Sequence, residues 1–87
     1  MITPNPQVEI ARFLARYNGG VVPDPDADVF EIGALTSLVA TQLVFLIEKR
    51  WGFEVPIPEL KRDNFRTLRA ICSLVERNVS TAASAPV

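Results

Sequence analysis

Seven prolines constrain this chain more than any other residue type, because six of them fall in three close pairs: Pro4/Pro6, Pro23/Pro25 and Pro56/Pro58. Proline has no amide hydrogen and excludes its predecessor from helical geometry, so each pair marks a boundary. Three proline-free windows remain, and each is read by its apolar period. In the first, Ile10, Phe13, Leu14 and Tyr17 recur at helical spacing with Arg12 and Arg16 between them, and Asn18-Gly19-Gly20 supplies a stop. The second holds the strongest helix signal, Ser37 to about Trp51, opened by the capping hydroxyls Thr36 and Ser37 and closed by Gly52. In the third, Leu68, Ile71, Cys72 and Val75 repeat at three and four residues, which predicts a last helix from about Phe65 to Arg77 capped by Asp63-Asn64.

Between the first two helices, Gly19 to Thr36 reads as a long loop pinned to a core by Val29, Phe30, Ile32 and Leu35. Val55 to Pro58 reads as extended, and Pro58-Glu59-Leu60 as the start of one helical turn. No strand pair or repeat is evident. The expected fold is all-α: a small four-helix bundle of three main helices plus one short helix, with a long first loop. Residues 1–79 form the expected domain, and 80–87, rich in Ser, Thr and Ala, a disordered tail.

With 87 residues the chain has material for one domain. Its net charge of −1 lacks the basic excess that a phosphate backbone demands, which argues against nucleic acid. The longest apolar run, Leu43 to Ile47, is far below the roughly 20 residues that span a bilayer. No export signal opens the sequence, so the expected location is the cytoplasm, with no membrane partner. The absence of histidine removes imidazole acid-base chemistry and His-containing metal sites. Asp24, Asp26 and Asp28 have the spacing that opens a calcium loop, but Val29 stands where its turn glycine belongs and Leu35 where its closing glutamate belongs. These aspartates read as a turn-forming acidic loop, and no metal site is expected. Cys72 alone cannot form an intramolecular disulfide, and its place on an apolar face gives it a structural role.

At about 100° per residue, the second helix turns Ala40, Leu43, Val44, Leu46, Ile47 and Trp51 to one broad side. Leu38 and Phe45 project from the polar side instead, two turns apart on one stripe. They form either a partner surface or a patch covered by the long loop. Ser37 sits in the first turn, where unpaired N–H groups and the helix dipole favour a phosphate. Position alone leaves two readings open, a simple helix cap and a modified serine.

The stretch Phe30-Glu31-Ile32-Gly33-Ala34-Leu35-Thr36-Ser37-Leu38, with Leu43-Val44 and the Glu48 to Phe53 segment, resembles acyl carrier proteins. The resemblance implies a four-helix bundle whose matching serine, Ser37, receives 4′-phosphopantetheine covalently from coenzyme A through a phosphopantetheinyl transferase. The arm's thiol would then carry acyl groups as thioesters. Thr36, Leu38, Val39, Gln42, Phe45 and Glu48 match the family's partner-contacting face. Thr36 replaces the aspartate that usually precedes the serine, and Lys49 and Arg50 make the second helix less acidic than is typical, which predicts weaker charge steering. With Asp63-Asn64-Phe65-Arg66-Thr67-Leu68, the chain resembles discrete carriers of polyketide assembly, among them carriers of glyceryl-derived, hydroxymalonyl or methoxymalonyl units. The implied protein has no catalytic residues of its own. It is a monomer served by an acyl-loading enzyme and a downstream synthase, dehydrogenase or acyltransferase. Phe30, Ile32, Phe65 and Ile71 would pack the core or line a shallow acyl cleft. Two competing readings are an unmodified helical adaptor that docks through Leu38 and Phe45, and an aminoacyl or peptidyl carrier.

Overall fold

A computed structural model describes residues 5–84. The first helix, α1, is Pro6–Arg16: the Asn5 side chain accepts from the Gln7 N–H at 3.0 Å, and Pro6 takes a position whose amide would be unpaired in any case. It stops at Asn18-Gly19-Gly20, where both glycines adopt positive φ and the Gly20 N–H returns to the Ala15 carbonyl at 2.8 Å. The second helix, α2, is Ser37–Trp51, closed by Gly52 in the left-handed region at φ 71° with Lys49 and Arg50 in the last turn. A short 3₁₀ turn, Ile57–Glu59, follows within one residue of the expected position.

The last window departs from expectation in three ways. It divides into a four-residue helix, α3 (Arg62–Phe65), and a long one, α4 (Leu68–Ser84). The cap of α4 is Thr67, whose Oγ1 accepts from the Ala70 N–H at 3.0 Å, and not Asp63-Asn64. The cause of the break is tertiary. In an unbroken helix the Arg66 carbonyl would accept from Ala70 and the Arg69 N–H would donate to Phe65. Here the Val29 N–H of the long loop donates to the Arg66 carbonyl at 2.8 Å, and the Arg69 N–H donates to the Pro25 carbonyl at 3.0 Å. The loop is thereby stitched into the gap between α3 and α4.

The third departure is length, since α4 continues seven residues past Arg77. Propagating a formed helix costs little, and Ala82 and Ala83 have the highest helix propensity. The expected tail, 80–87, therefore falls on the final turns of this backbone and on residues 85–87, which lie outside the described residues.

All regular structure among the described residues is helical, and α1, α2 and α3 each pack on α4. The core is built from Ile10 and Leu14 of α1, Val39, Leu43 and Ile47 of α2, Phe65 of α3 and Leu68, Ile71, Leu74 and Val75 of α4. Val29, Ala34 and Leu35 bring the loop into it, so the loop is ordered by burial as expected. Ile32 is a correction: it is 47% exposed, and the wholly buried Ala34 anchors the loop beside Leu35. Ala40, Val44, Leu46 and Trp51 are half-buried flanks of the α2 core stripe, whose centre is the i, i+4 row Val39, Leu43 and Ile47.

Candidate functional site

Two hydroxyls open α2, and the structure gives them different tasks. Thr36 is the cap: its backbone is extended and its Oγ1 accepts from the Val39 N–H at 3.3 Å. Ser37 is the first helical residue and is exposed. Its hydroxyl, its N–H and the N–H of Leu38 have no hydrogen-bond partner among the described residues. A helix of 15 residues thus presents a free hydroxyl beside two free donors at its positive end.

Ser37 also lines a groove of about 430 Å³. Ala40, Thr41, Val44 and Phe45 of α2 form one wall, Leu60, Lys61, Arg62 and Phe65 the other, and Phe30 of the loop completes it. The Arg62 guanidinium lies 4.2 Å from the centre of the Phe30 ring, a cation–π contact that ties α3 to the loop.

The residues expected on a partner surface divide. Leu38 and Phe45 are 71% and 65% exposed, so the loop does not cover them. Thr36 and Gln42 are also at the surface, and the Gln42 side-chain oxygen accepts from the Tyr17 hydroxyl of α1 at 3.0 Å. Val39 is a correction, because it lies in the core stripe four residues before Leu43. Glu48 is half-buried, and its Oε2 accepts from the Val55 N–H at 2.9 Å, which fixes the segment leaving α2. Of the expected cleft residues, Phe30 and Phe65 reach the groove, Ile71 is core, and Ile32 lines no part of it. The wall formed by Leu60, Lys61 and Arg62 was not anticipated. Its elements are too short for periodicity to register, and the adjacent Lys61-Arg62 was the only signal.

Away from this groove, most of the loop carboxylates and several charged side chains of the helices are paired. Asp24 accepts from the Asp26 N–H, and Asp28 from the N–H groups of Phe30 and Glu31. Asp26 pairs with Arg69 through two hydrogen bonds of 2.7 and 3.1 Å. The bond from Arg69 holds the Asp26 carboxyl below its usual range, with charge attraction adding to it. Glu9 joins α1 to α2 through Arg50. Cys72, half-buried on α4, has its thiol pushed up to about 11 by burial, with the nearby Glu76 carboxylate adding to the effect. At neutral pH it is a protonated, weak nucleophile.

A helical bundle with a stitched loop and, among the described residues, an unbonded serine hydroxyl at a helix start defines a class of scaffold able to bear an attached group. Comparison with known proteins gives that class its name. Residues 9–75, more than three quarters of the chain, match the family described as the phosphopantetheine attachment site, and the chain belongs to that family. Its cofactor is covalently attached 4′-phosphopantetheine. The exposed Ser37 hydroxyl and the two free N–H donors fit a phosphodiester at this position.

Among relatives, the D-alanyl carrier protein of Bacillus velezensis is 43% identical over 47 residues, covering 54% of this chain and 60% of the relative. The D-alanyl carrier protein of Streptococcus pyogenes is 37% identical over 51 residues, covering 59% of this chain and 65% of the relative. The chain thus spans about three fifths of the length of the curated relatives it matches. No helix among the described residues is long and apolar enough to cross a membrane.

Proposed function

We propose that this protein is a carrier that bears an acyl group as a thioester on a phosphopantetheine arm at Ser37 and presents it to partner enzymes. The observation that carries this reading is the separation of roles at the head of α2, where Thr36 caps the helix and leaves the Ser37 hydroxyl without a partner. On a phosphopantetheinyl transferase, Ser37 Oγ forms a bond to phosphorus at the pyrophosphate of coenzyme A. The adenosine bisphosphate half leaves and the hydroxyl proton passes to the transferase. The free N–H groups of Ser37 and Leu38 are the donors that would hold the phosphate, and the chain itself makes or breaks no further bond.

Leu38 and Phe45, exposed beside Ser37, form the apolar part of the docking face, with Thr36 and Gln42 as its polar part. Chain acidity is low, at a net charge of −1, so docking relies on these side chains more than on charge steering. The resemblance of Gly33 to Leu38, Leu43 to Glu48 and Asp63 to Leu68 to polyketide carriers supports a place in natural-product assembly, with a loading enzyme upstream and a synthase, dehydrogenase or acyltransferase downstream. A second reading, carriage of an aminoacyl group, is favoured by the names of the relatives from Bacillus velezensis and Streptococcus pyogenes.

The test is intact mass after incubation with coenzyme A and a broad-specificity transferase. The protein should gain the mass of one arm, and Ser37→Ala should gain none while melting as the parent does. An unchanged mass with several transferases would leave the unmodified adaptor as the better reading. Co-expression with neighbouring biosynthetic genes, followed by the same measurement, distinguishes acyl from aminoacyl cargo.

A further inference from the structure

Nine Lys and Arg residues are present, and most of the arginines have carboxylate partners: Arg12 and Arg50 with Glu9, Arg66 with Asp28 and Asp63, Arg69 with Asp26, Arg77 with Glu59. Lys61 and Arg62 have none among the described residues, yet they stand side by side on the groove that contains Ser37. No Asp or Glu lines that groove. Apart from Ser37 and Thr41 its remaining lining is apolar, with Phe45 and Val44 contributed by α2 and Phe65 by α3. The groove is therefore largely apolar, and the only charges on its lining are cationic.

We propose that Lys61 and Arg62 on this groove select a tethered acyl group whose far end bears a carboxylate. The inference rests on attachment of the arm at Ser37 and names the class of cargo that the same site takes. Three physical points carry it. The volume of about 430 Å³ lies at the low end of small-molecule pockets, which suits a short acyl group rather than a long chain. The contact with the Phe30 ring holds the Arg62 guanidinium at the groove, and its N–H donors have no hydrogen-bond partner among the described residues, so they are available to a carboxylate, which a guanidinium can meet through two parallel hydrogen bonds. Lys61 adds a second positive charge with no competing anion on the lining, so an ammonium-ended cargo meets repulsion where a carboxylate meets attraction. A plain alkyl cargo gains only apolar contact.

The experiment compares three four-carbon acyl groups, each installed with the arm by a broad-specificity transferase from the corresponding acyl-coenzyme A: succinyl, butyryl and 4-aminobutyryl. The readout is displacement of the backbone amide resonances of Thr41, Phe45, Arg62 and Phe65 relative to the unacylated holo-protein. The succinyl form should populate the docked state about two- to fivefold more than the butyryl form, the range open to an ion pair at an exposed rim. The 4-aminobutyryl form should dock least. In the Lys61→Ala/Arg62→Ala protein the succinyl and butyryl forms should become equal. In the Lys61→Arg/Arg62→Lys protein, which keeps both charges, the preference should persist, and equal melting temperatures of the two variants would show that both fold.

Equal displacements for succinyl and butyryl in the parent protein would overturn the inference. So would a preference that survives the double alanine substitution. If attachment of the bare arm already produces the full displacement at Arg62 and acylation adds nothing, the two cations serve the phosphate and the cargo inference fails. A protein that gains no arm fails at the mass measurement, before any cargo is compared, and that outcome removes the Ser37 reading and this one together.

Discussion

Where the long loop crosses α4, polar groups meet partners: Asp26 grips Arg69, Asp28 caps Phe30 and Glu31 and reaches Arg66 at 3.6 Å, and the Pro25 carbonyl and Val29 N–H enter the helix break. At the head of α2 the reverse holds. Ser37 has an unbonded hydroxyl, Leu38 and Phe45 face water, and Lys61 and Arg62 have no carboxylate. Both regions are polar or mixed in composition, so composition does not separate them. What separates them is satisfaction: one region's donors and acceptors close on each other to hold the fold, while the other's are left for something outside the chain.

The largest expected effect tests the buried side of α2. Leu43→Ala removes a fully buried side chain at the centre of the core stripe and should cost about 2–5 kcal/mol in urea unfolding. A loss below about 1 kcal/mol would mean that the core side is misplaced by the helix register. Next in size is the cap. Thr36→Ala should cost about 0.5–1 kcal/mol, the low part of the usual range because its bond to Val39 is long at 3.3 Å. Ser37→Ala, one residue on, should stay within about 0.5 kcal/mol. If the two substitutions cost the same, the division of labour between these hydroxyls is wrong.

That division was not legible in the sequence, because Thr and Ser are interchangeable as caps and only the extended backbone at Thr36 decides between them. Other parts were legible for a physical reason. The rows Ile10/Leu14 and Leu43/Ile47 are strong i, i+4 signals, and proline pairs and glycines fix where α1 and α2 end. Val39 belongs to the same row, and helical spacing alone would have placed it in the core; matching it to a family's contact face moved it outward. The break before α4 was hidden for the opposite reason. Leu68, Ile71, Cys72 and Val75 keep the helical period, and the cause of the interruption is Val29, which lies far away in sequence. Ala34 was passed over because a small apolar residue makes no visible pattern, although it is wholly buried.

A smaller effect sharpens the exposed side of α2. Phe45→Ala should change stability by no more than about 0.5 kcal/mol, since the ring is 65% exposed, while slowing transfer to the cognate partner enzyme. Unfolding data and transfer rates on the same variant separate the two. A loss of 3 kcal/mol or so would make Phe45 part of the core and close the groove beside Ser37.

The smallest effect concerns the occupied region and its pH dependence. Hydrogen bonding from Arg69 lowers the Asp26 carboxyl below its ordinary value of 3.8. The folded state therefore binds this proton less readily than the unfolded chain, and the contribution of the pair is full above that ordinary value. It fades as pH falls through the lower folded value. Other carboxylates titrate in the same range, so the informative quantity is the stability difference between the parent and Asp26→Asn. That gap should be small at pH 6, because both side chains are exposed to solvent, and should close as the medium is made more acidic than the folded value. High salt at pH 6 should narrow it as well, since 1 M salt screens charges beyond about 3 Å. A gap that persists unchanged in acid would show that the carboxylate charge contributes nothing. In either case the backbone bonds from Val29 to Arg66 and from Arg69 to Pro25 still hold the loop, so Asp26→Asn should take up the arm at Ser37 at the parental rate. A slowed rate would mean that the two regions are coupled, and that the pairing of charges on α4 helps to position the unpaired serine on α2.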